Sequence, residues 1–200
     1  MRPLIFTILF VLPSLSSVFG QKVDSLALKM DAERRRIERK AMNVLGTWSA
    51  IQMVSGIGLG LTQQGVSREF FRMNALWNVV NASLVMSSIQ TQKKEIGASD
   101  PVLALHRFEK LERTLLFNCG MDLAYITAGY ALNMQAKTTN KLQTRNALMG
   151  WGNSLYLQGG FLLIFDTLFY HSLHKVSSQY RSYLQAIWLN HSGAGINMRF

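Results

Sequence analysis

Four windows of about twenty residues, each apolar enough to leave water, constrain this chain more than any other feature. They cover residues 42–61, 70–89, 114–134 and 147–170. At a rise of about 1.5 Å per residue, ~20 helical residues cross the ~30 Å hydrocarbon layer of a membrane. The first window carries no charge, and the others carry only Arg72, Asp122 and Asp166. Charged residues make up 16% of the whole chain, against roughly 25% in ordinary soluble domains. The pattern predicts an all-α integral membrane four-helix bundle.

The connections agree with that count. Residues 62–69 are short and polar, which makes the first two windows antiparallel neighbours. The longer stretch 90–113 contains Asp100-Pro101, the pattern of a helix N-cap followed by proline at the first helical position. The third helix is therefore expected to begin near Pro101, outside the apolar layer. Residues 136–146 read as a polar hairpin connection. The tail, 173–200, reads as a short helix over 177–189 followed by an irregular SGAGINMRF.

Ahead of the windows come two further segments. Residues 1–20 have a basic start at Arg2, an apolar run from Leu4 to Leu12, and a cut site after Gly20, so the bundle is expected to follow a signal peptide. Residues 21–41 read as an amphipathic basic helix, with Leu26, Met30, Ile37 and Ala41 on a stripe that continues to Val44. The arginines are expected opposite. Arg34, Arg35, Arg36, Arg39 and Lys40 make anionic lipid headgroups the expected partner of this face, beside the plain alternative of a solvated surface.

The net charge of +10 invites a nucleic-acid reading. No zinc-finger spacing, glycine-rich phosphate loop or nucleic-acid signature accompanies it, and that class is set aside. Cys119 is the single cysteine, which excludes an intrachain disulfide framework.

Polar residues inside the windows are the candidates for function. Asn74, Asn78 and Asn81 recur at i, i+4 and i+7, within about 60° on one helical face, and Trp77 adjoins it. Asn118 and Asp122 repeat the spacing in the third window, and Gln158 and Asp166 share a broad side of the fourth. An amide facing lipid costs several kcal/mol, so all eight residues are expected to line the bundle interior. Interhelical hydrogen bonding alone explains such residues at about 0.6 kcal/mol each in membranes. Intramembrane acids point further, to ligand binding. The glycines Gly56, Gly60, Gly150, Gly152, Gly159 and Gly160 indicate close helix packing. Asp166, His171 and His174 do not make a convincing metal set, and neither an ordered catalytic nucleophile nor a cofactor is implied.

The stretches VLGTWSAIQMVSG, FFRMNALWNVVN, NCGMDLAYITAGYAL and GWGNSLYLQGGFLLIFDTLFYHSLH resemble a bacterial, Bacteroidetes-type family of uncharacterised membrane proteins, a domain of unknown function. The resemblance runs from Met42 to His174, and is most specific in MNxxWNxxN and LQGxFLxxFD. Family members often carry a histidine just ahead of the first motif, where this chain has Phe71. The resemblance implies a helical membrane bundle behind a signal peptide and supplies no activity.

Three functions fit these residues. The first is a multi-pass protein of the bacterial inner membrane that binds or passes a small polar solute, ion or lipid headgroup. A non-catalytic membrane scaffold is the alternative, and a membrane enzyme using the acid pair is the third. A homo-oligomer is compatible with each. Orientation is in conflict: the cut site places the mature N-terminus outside, while the Lys and Arg excess on that same side favours the inside. The cut site is preferred here.

Overall fold

In the computed structural model the chain forms four helices: α1 (Leu4–Thr62), α2 (Gly65–Lys94), α3 (Pro101–Thr138) and α4 (Leu142–Ser192). Backbone is described for residues 4–98 and 100–192, and side chains for 25–98 and 100–186. There is no strand among the described residues. The all-helical reading therefore holds.

Helix boundaries follow local chemistry. Asp100 caps α3 as expected, its carboxylate accepting from the Leu103 amide at 2.8 Å with Pro101 in the first turn. Two residues, Gln63 and Gln64, join α1 to α2, and the reversal depends on Gly65 at φ +60°. A side chain there would meet the left-handed penalty of roughly 1–2 kcal/mol.

Residues 21–41 run unbroken into the first apolar window as part of α1. One segment differs from expectation: 177–189 is the continuation of α4, not a short helix of its own. The physical reason for continuity is common to both. No glycine or proline stands between Gly20 and Gly46, or between Gly160 and Ser192, so nothing interrupts either backbone ladder. The side chains of 1–20, read as the signal peptide, and the SGAGINMRF tail from Gly193 onward lie outside the described residues.

The helices pack α1 against α2, α2 against α4, and α4 against α3, with α1 also touching α3 and α4. The α2 and α3 backbones lie across the diagonal and do not approach one another. Glycines set the closest crossings. A Cβ on Gly56 would fall 2.6 Å from the Phe71 carbonyl of α2, and one on Gly150 only 2.6 Å from Glu69. One on Gly152 would meet the Gly129 carbonyl at 2.8 Å. Gly159 is as crowded, and Gly60 is in tight contact with Arg72. Gly160 departs from expectation, with no atom within 4 Å of its would-be side chain.

Polarity changes along the bundle axis. At the end that holds the start of α1, the start of α3 and the last turns of α4, the core is conventional: Ala27, Met30, Ala104, Phe108 and Leu173 are buried. Further along, the arrangement inverts. Val54, Leu76, Phe117 and Ile164, one from each helix, are 75%, 65%, 70% and 64% exposed, while Asn74, Asn78 and Gln158 are 0% exposed. By length and composition, one helix among the described residues can cross a membrane, Ser25–Thr62.

Candidate functional site: a polar interior and a buried ion layer

All eight residues expected inside the bundle are buried or partly buried, but they fall into two clusters. The first centres on Asn74. Its Oδ1 accepts from Ser154 Oγ at 2.6 Å and from Gln158 Nε2 at 3.1 Å. Gln158 Oε1 in turn accepts from Trp48 Nε1 at 3.3 Å. One amide thus ties α2 to α4, and through Gln158 to α1. Asn78 and Asn81 do something narrower. Asn78 Nδ2 donates to the Asn74 carbonyl at 2.8 Å, and Asn81 Nδ2 to Asn78 Oδ1 at 3.1 Å, both within α2. Trp77 reaches across the diagonal to Tyr125 of α3, edge to face at 4.7 Å. Asn74 Nδ2 and Trp77 Nε1 are buried donors without a partner.

The second cluster is acidic. Asp122 of α3 and Asp166 of α4 lie close enough for their carboxyl groups to influence one another, with the Asn118 amide beside Asp166. The helices approach closely beside the pair, where Gly159 lies against the Asp122 carbonyl. Asp122 Oδ2 is buried and without a partner. Two carboxyl groups share a hydrogen bond only when one bears a proton; otherwise a cation must lie between them.

Sequence reasoning passed over Trp48 and Ser154. Ser154 stands one turn before Gln158 on the same face, a signal that was there to read. Trp48 had none beyond its place in the first window.

A third constellation corrects the placement of Arg34 in the basic segment. Arg34 is not opposite the apolar stripe. It stands one turn from Met30 and three residues before Ile37, inside the stripe, and is 5% exposed. Asp31 gathers the charges around it. Its Oδ1 accepts from Arg34 Nη2 at 3.0 Å, and its Oδ2 from Arg35 Nη2 at 2.6 Å and Arg107 Nη1 at 3.0 Å. Arg34 also donates to Glu38 at 3.1 Å and Glu95 at 2.5 Å. Three acids and three arginines from α1, α3 and the α2–α3 connection neutralise one another. Burial pushes the Asp31 carboxyl up, but the Arg35 and Arg34 guanidiniums outweigh it and hold Asp31 below the usual carboxylate value. Arg34 and Arg35 are consumed by this layer; Arg36, Arg39 and Lys40 remain exposed.

Nearby, Ser177 Oγ donates to Glu112, and His174 Nδ1 lies 3.5 Å from the same carboxylate. The hydroxyl faces the carboxylate and not the imidazole. No group of three metal-ligating side chains occurs among the described residues.

These features define a class: a helical bundle with amides and acids turned inward and an apolar circumference. Residues 44–167 match the Family of unknown function (DUF6992), more than half of the chain, and the chain belongs to that family. No curated protein and no solved structure matches it.

Proposed function

We propose that the chain is a multi-pass protein of the bacterial inner membrane whose four helices all span, and that the Asp122–Asp166 pair binds a proton or small monovalent cation. The carrying observation is the inverted middle zone, where large apolar side chains face outward and both acids face inward. In water that arrangement exposes apolar surface and buries polar groups at once. In lipid both halves are favourable.

The two clusters support different roles. The Asn74 group spends most of its capacity on bonds between its own helices, which favours the scaffold role for it. The acid pair keeps an unspent oxygen and needs a proton or cation to hold its geometry. Close carboxyls also suit an acid dyad, but a dyad must admit a substrate. The two grooves described below run between α1 and α4 and contain neither acid. A proton or bare cation needs only oxygen ligands.

Reconstituted protein with an internal pH reporter tests the proposal. If the pair also passes what it binds, a potassium or sodium gradient drives a change in internal pH, which Asp122→Asn and Asp166→Asn each abolish and Asn81→Leu leaves intact. Binding itself is read from the carboxyl infrared bands of the same protein, which should shift with pH or cation concentration in the wild type and lose that shift in each acid variant. Bands that do not respond, or respond equally in the wild type and both variants, would leave the scaffold reading in its place.

A further inference from the structure

A groove of about 470 Å³ opens sideways between α1 and α4, lined by Val44 on one side and Phe161, Phe165, Leu168 and Phe169 on the other. A second, of about 400 Å³, shares Val44 and Phe161 and continues past Trp48 to Ile51. Its aromatic wall is ordered, with Trp48 stacked on Phe161 at 3.9 Å and Phe161 on Phe165 at 6.0 Å. Lys40 lines the opposite end. Arg36 lies one turn further out on the same face. Both are exposed, and neither has an ion-pair partner among the described residues. Arg34, Arg35, Arg107 and Arg181 nearby are all paired with acids.

We propose that this groove holds one acyl chain of an anionic membrane phospholipid, with its phosphate against Lys40 and Arg36. The inference rests on the membrane reading above. Two features select the occupant. From Lys40 to Ile51 the helix rises about 17 Å, close to one leaflet's share, about 15 Å, of the hydrocarbon layer. The cations stand at the headgroup end of that span and the apolar walls fill the rest. A second copy of the chain would have to bury two unpaired cations, which is costly. A neutral lipid would leave them unanswered. Direct attraction of basic residues to anionic headgroups is the force this arrangement uses.

Full-length protein in vesicles of equal phosphatidylglycerol and phosphatidylcholine gives the test, using analogues of each lipid with a photoreactive acyl chain. Phosphatidylglycerol should label Val44, Ile164 and Leu168 more than phosphatidylcholine does, by roughly thirtyfold for two basic contacts. The double variant Arg36→Glu, Lys40→Glu should bring the two lipids level, and Leu168→Trp, which fills the groove, should remove the labelling of Val44 and Ile164. Equal labelling of both lipids by the wild type, labelling that survives Leu168→Trp, or a second copy crosslinked in the groove would each overturn the proposal. Alkaline carbonate extraction of the same vesicles separates the two readings. Release of the protein would sink the membrane assignment itself, whereas retention without lipid preference sinks only the groove.

Discussion

Asn74 carries more than its neighbours on the stripe, and the difference sets a test. Replacing it with leucine leaves Gln158 and Ser154 without their buried acceptor, a loss of about 1–3 kcal/mol. Asn81→Leu removes one bond within α2 and should cost no more than about 0.6 kcal/mol, the membrane average. Thermal unfolding in detergent should therefore rank Asn74→Leu well below Asn81→Leu; equal melting points would mean that the interhelical bonds do not hold the bundle. At the charged end, Asp31 makes a pH prediction. Its folded pKa lies below the ordinary value of 3.8, so its contribution is fully present above that value and is lost as pH falls through the lower folded one. Asp31→Asn should cost about 3 kcal/mol at neutral pH and flatten the acid limb of stability in urea titrations. The i, i+4, i+7 spacing showed that the asparagines share a buried face. Which of them crosses to another helix was not legible, because periodicity gives direction and no partner. Arg34 was misread for a related reason: Glu95, the acid it reaches outside α1, lies more than sixty residues away in sequence.

At the scale of the helix, the glycines divide by what they touch. Gly152 sits on the Gly129 backbone of α3, so Gly152→Ala must push the helices apart, at about 1–3 kcal/mol. Gly160 faces open space, and Gly160→Ala should be neutral or stabilising by up to about 1 kcal/mol, since alanine is the better helix former. Chemical unfolding of the two variants compares them directly; matching losses would place α4 in a different rotation from the one described. The sequence supplied the four apolar windows, the Asp100 cap and most of the small-residue crossings. It did not show that α4 continues as one long rod past its apolar window. Its outer part carries a different polarity pattern and so reads as a separate element, although no residue breaks it.

Over the whole molecule, one change organises the rest. The bundle has an apolar core and ion pairs at one end, then an apolar circumference around amides and acids. On the proposed membrane reading, a boundary passing near Lys40, Thr114 and Ser172 would account for the change, with the paired layer beyond it in water and the acid pair within lipid. One helix among the described residues, Ser25–Thr62, is long and apolar enough to cross a membrane, so the embedding of α2, α3 and α4 is the part to test. Spin-label accessibility tests it. In a Cys119→Ser background, labels introduced by Val54→Cys, Leu76→Cys, Phe117→Cys and Ile164→Cys in reconstituted vesicles should collide freely with oxygen and hardly at all with a water-soluble nickel reagent. Labels introduced by Lys175→Cys and Asn140→Cys should show the reverse. Strong collision with the aqueous reagent at Leu76, Phe117 and Ile164 would contradict the embedding of α2, α3 and α4 in the membrane.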